Sequence, residues 1–209
     1  MSHRTSALYR WLEVPALYER FQLLLGAHAA RKRFVAQFLR PAPGTKILDI
    51  GCGPGSLLEY LPEDAEYSGY DLNLSYIEAA RRRYGARARF HHARVGEEPP
   101  ELEASSFDLV IAKAILHHLN DDEARQLLRA AFRYLRPGGF FVSLDCVRHE
   151  GQKALSRLII SLDRGGAVRD PAGYERLVRE HTPAVEGVLI TDWLAVPYSY
   201  YIMRAERKS

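Results

Sequence analysis

Ile47-Leu48-Asp49-Ile50-Gly51-Cys52-Gly53-Pro54-Gly55 sets the frame for the rest of the chain. Ile47, Leu48 and Ile50 make a short apolar strand that starts at Lys46, and three glycines at alternate positions turn the chain out of it. Pro41-Ala42-Pro43-Gly44 separates this strand from what precedes it, because clusters of proline and glycine interrupt helices and strands alike. Upstream the pattern is helical: Pro15 can open a helix that carries Leu17, Phe21, Leu24 and Leu25 on one face, and a second helix over 27–39 turns Ala30, Phe34 and Phe38 inward.

Downstream of the turn, strands and helices alternate. Helix is expected from Ser56, stopped by Pro62, and again over 75–84, stopped by Gly85. Strands are expected over 67–70, 88–92, 107–112 and 140–146. Between the last two lies an amphipathic helix over 121–135 with Leu127, Leu128, Ala131 and Leu135 at helical spacing, then a turn at Arg136-Pro137-Gly138-Gly139. Alternation of this kind implies a parallel sheet with helices on both faces. The last third differs: a helix over 152–162, a polar loop over 163–170, a helix over 171–181 capped by Asp170, and two strands over 185–191 and 196–203 whose short link implies antiparallel pairing.

Composition fits one globular domain. Of 209 residues, 47% are hydrophobic and 26% charged, and the 29 basic side chains are interleaved with 26 acidic ones to leave a net charge of +3. That is not the concentrated basic stripe of a nucleic-acid binder. Cys52 and Cys146 form no CxxC and no zinc spacing, so no metal site is expected, and both read as reduced thiols of a cytoplasmic protein. No apolar run follows the N-terminus as in a signal peptide, and none approaches membrane-spanning length.

Chemistry gathers at the glycine turn. In an open parallel sheet, ligands bind beyond the carboxyl ends of the strands. Glycines there let backbone N–H groups come close to a ligand, and the next helix points its N-terminus at the same place. Twenty residues past Gly51, Asp71 ends the second strand, where its carboxylate can accept hydrogen bonds from both ribose hydroxyls of an adenosine. A dinucleotide turn needs glycines at relative positions 0, 2 and 5. Here they fall at 0, 2 and 4, with Ser56 where the third is required, which disfavours a nicotinamide-dependent dehydrogenase.

In this setting 47–55 resembles motif I of the class I S-adenosylmethionine-dependent methyltransferases. Tyr70-Asp71-Leu72-Asn73 resembles their acidic ribose-binding motif, Phe107-Asp108-Leu109-Val110-Ile111-Ala112 their fourth-strand motif, Leu116-His117-His118-Leu119 the segment that follows it in the type 11 subgroup, and Leu135-Arg136-Pro137-Gly138-Gly139-Phe140 the turn before the fifth strand. The resemblance implies a Rossmann-like, seven-stranded, mostly parallel sheet with an antiparallel last strand, in one domain. That domain would comprise an N-terminal helical cap (1–43), a cofactor-binding core (44–146), a substrate-side insertion (147–184) and C-terminal strands (185–209). It implies S-adenosylmethionine as cofactor and S-adenosylhomocysteine as product. Gly51, Cys52 and Gly53 would pass under the methionine and ribose, Asp49 would shape the turn near the methionine amino group, Leu72 would pack on adenine, and the backbone at Ala112 or Lys113 would meet the methionine end. The family's acidic adenine contact has no counterpart in Phe90-His91-His92-Ala93-Arg94-Val95, which leaves Ala93, Arg94 or His92 for that pocket.

On the acceptor side, His117 is the candidate general base, slightly favoured over His118; the competing reading is that one packs under the helix and the other bonds the backbone. Arg164 and Arg169, flanking Gly165-Gly166, could clamp a carboxylate or phosphate, and Tyr198 could line a pocket; solvated-loop and core-packing readings compete. Tyr18 and Trp11 would belong to a lid. The expected reaction is in-line methyl transfer to a small molecule, with an RNA or protein acceptor, or a non-catalytic partner protein of the same fold, as the alternatives. The residues leave the oligomeric state open.

Overall fold

The computed structural model describes residues 26–97, 99, 101–162 and 165–208. Seven strands form one sheet: β1 (Lys46–Ile50), β2 (Glu66–Asp71), β3 (Ala88–His92), β4 (Phe107–Lys113), β5 (Leu135–Cys146), β6 (Val185–Ile190) and β7 (Tyr200–Glu206), in the order β3-β2-β1-β4-β5-β7-β6. The first five are parallel; β7 runs antiparallel to both β5 and β6. Among the described residues five α-helices accompany them: α1 (Ala27–Phe34), which continues into a π-helical turn over Val35–Leu39, α2 (Leu74–Tyr84), α3 (Asp121–Tyr134), α4 (Ala154–Leu162) and α5 (Pro171–Arg179).

Period-two alternation builds two cores. In β4, Leu109 and Ile111 face one side of the sheet, where they meet Phe34, Leu57 and Ile77, while Val110 and Ala112 face the other, where α3 and α5 supply Leu127, Leu128, Tyr174 and Leu177. Both faces are therefore covered, as a parallel sheet requires.

Three elements differ from the sequence expectation, each for a local reason. The helix after the glycine turn is a single five-residue 3-10 turn, Ser56–Tyr60, because Pro62 follows at once. The Arg136–Gly139 turn is a bulge within β5: Phe107 pairs with Leu135 but Leu109 with Phe140, and Gly138 and Gly139 exchange backbone hydrogen bonds with Arg207. The last strand starts at Tyr200 rather than Val196, since Pro197 has no N–H to give a ladder. The N-terminal helix expected from Pro15 lies outside the described residues.

α3 carries a complete capping box. The Asn120 side chain accepts from the N–H groups of Asp122 and Glu123, and Glu123 accepts from the Asn120 N–H. We expect Asn120→Ala to lower stability by about 1 kcal/mol and Asn120→Gly by only a few tenths, read by urea unfolding.

Candidate functional site

The turn that leaves β1 folds back over the end of β2. Gly51 and Cys52 both donate their N–H to the Tyr70 carbonyl (2.8 and 3.1 Å), and Gly53 donates to Asp71 Oδ2 (2.9 Å). These N–H groups hold the turn, and the segment behind them is a short 3-10 turn rather than the expected helix. Glycine at 51 has a steric reason instead: φ is +75°, and a Cβ there would stand 2.5 Å from Ile115 Cδ1.

A cleft of about 690 Å³ opens along the strand ends. The strand order lays it out in sequence: 93–95 after β3, Asp71 and Leu72 after β2, 51–54 after β1, then Lys113 and Ile115 at the end of β4. Eight of the ten expected cofactor residues line it, namely Gly51, Cys52, Gly53, Asp71, Leu72, Ala93, Arg94 and Lys113. Ala112 is fully buried behind it, and Asp49 sits beneath it at 1% exposure.

The electrostatics follow from burial. Asp71 is oriented by two backbone donors, Gly53 N–H on Oδ2 and Asn73 N–H on Oδ1 (2.8 Å). Asp49 Oδ2 accepts from the Tyr67 hydroxyl (2.7 Å), while Oδ1 is buried with no partner. Desolvation outweighs that hydrogen bond and the nearby Lys113, and pushes the Asp49 carboxyl up to about 6. Burial, with Arg31 beside it, lowers the Lys113 ammonium below its ordinary range, against the pull of Asp49 and Asp145. Burial also pushes the Cys52 thiol well up, which suits a small filler under the cleft and not a nucleophile.

α3 and α1 supply lining residues that the sequence reading passed over: Gln126 and Glu123 beside Ala93–Val95, and Arg31 beside the β1 turn. Gln126 sits one position before the apolar stripe of α3, and only that stripe was used as a signal. His92 is not in the cleft; its ring bonds the Leu72 carbonyl (2.9 Å) and so fixes the backbone of a residue whose side chain is 56% exposed at the rim.

The two histidines are placed differently. In the 3-10 turn Leu116–His118, successive side chains diverge, and His117 points inward: it is 3% exposed and its Nδ1 meets Asp145 Oδ1 at 2.8 Å. Gly165 lies against its ring, where a Cβ would collide. His118 lines the cleft, its ring 4.0 Å from that of His117.

Arg169 is not a substrate clamp. Its Nε and Nη2 donate to Asp121 Oδ1, Nη2 also to Leu119 O, and Nη1 to Leu116 O and Ala167 O, which commits every N–H it has to closing the 3-10 turn against the segment before α5. Tyr198 packs by the Tyr200 ring and a small cluster of Cys146, Ile160 and Val168, away from the cleft at the strand ends. Arg164, Tyr18 and Trp11 lie outside the described residues.

Residues 47–139 match the family model described as a methyltransferase domain. The match covers less than half of the chain's 209 residues. Over its length the chain is 27% identical across 158 residues to phosphoethanolamine N-methyltransferase 3 of Arabidopsis thaliana, covering 74% of this chain and 32% of that one. It is 34% identical across 120 residues to an O-methyltransferase of Pyrenophora dematioidea, covering 54% and 43%. The chain thus spans less than half the length of these curated relatives. Among solved structures, a Haemonchus contortus phosphoethanolamine N-methyltransferase 2 in complex with phosphomonomethylethanolamine and S-adenosylhomocysteine is similar with a TM-score of 0.76 at 16% identity, over 97% of this chain and 59% of that one. A Haloferax volcanii putative methyltransferase, in complex with the Trm112 methyltransferase activator, matches over 96% of this chain and 97% of its own, with a TM-score of 0.74 at 18% identity. Likeness at these identities concerns the fold. Among the described residues no helix is long and apolar enough to cross a membrane, and no group of three or more acidic, histidine or cysteine side chains could hold a metal ion.

Asp49 gives the protein a measurable pH signature. Between pH about 4 and 6 the unfolded chain has released this proton while the folded protein keeps it, so the folded form binds more protons and Asp49 costs stability as pH rises. From 3.8 to about 6 this amounts to roughly 3 kcal/mol. We expect the stability of Asp49→Asn relative to the parent, measured by urea unfolding, to improve by that order between pH 4 and 7; a flat difference contradicts the assignment.

Proposed function

We propose that this chain binds S-adenosylmethionine along the β3-to-β4 line of strand ends and transfers its methyl group to a small-molecule acceptor. The observation that carries the reading is the Asp71 carboxylate, oriented by two backbone donors in the middle of a cleft of about 690 Å³ with further lone pairs to offer a ribose diol.

The residues present fit such a ligand. Adenine would pack on Leu72 toward Ala93 and Arg94, where Gln126 supplies an amide in place of the family's carboxylate. The ribose would rest on Asp71. The methionine would lie toward Gly51, Cys52 and Lys113, with its carboxylate near the cations Arg31 and Lys113 and its ammonium on the side of Asp49, whose Oδ1 lacks a partner. The bound sulfonium supplies an activated methyl group, so the hard chemistry is the cofactor's.

The chain's own contribution is alignment and proton handling. Rigid strand ends and the closed turn at 51–53 fix the donor. His118 lines the same cleft next to Ile115 and Leu119, and is the side chain suited to accept a proton from an acceptor, with the His117–Asp145 pair buried behind it. The small-molecule reading is supported by the relatives' names: phosphoethanolamine N-methyltransferase, ubiquinone biosynthesis O-methyltransferase and trans-aconitate 2-methyltransferase.

Titration calorimetry with S-adenosylhomocysteine tests this. Micromolar binding by the parent protein and at least tenfold weakening by Asp71→Ala are expected, with circular dichroism confirming that the variant folds. No binding by the parent contradicts the proposal.

A further inference from the structure

A second cleft, of about 580 Å³, opens where β5 ends and β7 begins, and shares no lining residue with the cofactor cleft. Its rim is apolar, with Leu155 from α4 and Leu194, Val196, Pro197 and Tyr198 from the segment before β7. Its polar lining includes Ser156, Ser199 and His149, joined in a chain of side-chain hydrogen bonds that Gln152, outside the lining, completes. Gln152, Ser156 and Ser199 are 6%, 3% and 3% exposed, so water does not set their hydrogen bonds.

The direction of each bond follows by elimination. His149 Nδ1 lies 2.7 Å from the Glu150 carbonyl, which can only accept, so Nδ1 carries a proton, and in the neutral tautomer that this selects Nε2 is an acceptor. Ser199 Oγ, 3.1 Å from Nε2, therefore donates to it. With its one proton spent, Ser199 must accept from Ser156 Oγ at 3.2 Å. Gln152 Nε2 faces the Val147 carbonyl at 3.2 Å, which fixes the amide orientation, and donates to Ser156 Oγ at 3.0 Å. The chain thus runs from Gln152 through Ser156 and Ser199 to His149. Both hydroxyl protons are consumed within it, while each serine oxygen keeps one lone pair.

A floor that offers lone pairs and no spare proton selects a hydrogen-bond donor. Its hydroxyls give no proton to a carboxylate or phosphate, for which only the solvent-exposed Lys153 is left. Lys153 at the lip sets a positive charge against an ammonium ligand. What remains is a neutral hydroxyl on an apolar body small enough for the cleft, with a ring to lie against Leu155, Val196 and Tyr198. We propose that this cleft is a binding site for neutral aromatic hydroxyl compounds, the hydroxyl donating to Ser156 or Ser199.

Three naphthalenes test it by titration calorimetry on the full chain: 2-naphthol, 2-methoxynaphthalene, which lacks the donor, and 2-naphthoate, which carries only acceptors. We expect 2-naphthol to bind at least about tenfold more tightly than either analogue, the effect of one buried hydrogen bond, with saturating S-adenosylhomocysteine leaving it in place. His149→Leu releases the Ser199 proton into the cleft, so the preference for 2-naphthol over 2-naphthoate should fall to about threefold or less. Ser156→Ala, a smaller change, should weaken 2-naphthol while leaving 2-methoxynaphthalene unchanged. Equal affinity of the three probes, a preference that survives His149→Leu, or displacement of 2-naphthol by S-adenosylhomocysteine would overturn the proposal. Binding of S-adenosylhomocysteine itself is scored separately, so failure of the cofactor reading and failure of this one are distinguishable.

Discussion

The end of β2 is where the molecule commits itself. The Tyr70 carbonyl accepts from two consecutive N–H groups of the β1 turn, and the next residue, Asp71, takes a third through its side chain. A carbonyl has two lone pairs, so this is full use of one backbone group. The consequence is that neighbouring parallel strands are tied to each other at their carboxyl ends, where a parallel sheet otherwise has only loops. The cleft floor, the orientation of the Asp71 carboxylate and the left-handed backbone at Gly51 all depend on that closure. Any side chain at position 51 would have to displace Ile115 and adopt a costly φ at once.

This constraint explains which parts of the site could be read from the sequence. The strand-turn-strand unit from Lys46 to Asp71 is local, and its glycine spacing and acidic terminus are residue-type signals that few other structures require. The same holds for Ala93, Arg94 and Lys113, which follow directly on strand ends that periodicity locates. The N–H groups of Gly51, Cys52 and Gly53 hold the turn itself. Of Ala112 and Lys113, alternation in β4 sends the first into the core and turns the second to the cleft.

What the sequence could not disclose depends on tertiary placement. Gln126 and Glu123 reach the cleft only because α3 lies beside the segment that follows β3, and nothing in an amphipathic stripe says which flank meets a ligand. His117 and His118 are equivalent as letters; Asp145, at the end of β5, decides between them by holding His117 in the interior. Arg169 has the composition of an anion clamp, yet Asp121 and three carbonyls of its own fold absorb it. A basic residue in a loop is ambiguous until its acceptors are known. The Gln152-Ser156-Ser199-His149 chain joins segments that lie up to 50 residues apart, and no spacing rule would assemble it.

The central claim, that an adenosyl ligand lies across the strand ends with its ribose on Asp71, is tested most directly by a crystal structure of the protein with S-adenosylhomocysteine. The account predicts both ribose hydroxyls within hydrogen-bonding distance of the Asp71 carboxylate, adenine against Leu72 with Gln126 at its edge, and the amino-acid end between Gly51 and Lys113. A ligand bound elsewhere, or bound in this cleft without touching Asp71, would contradict it.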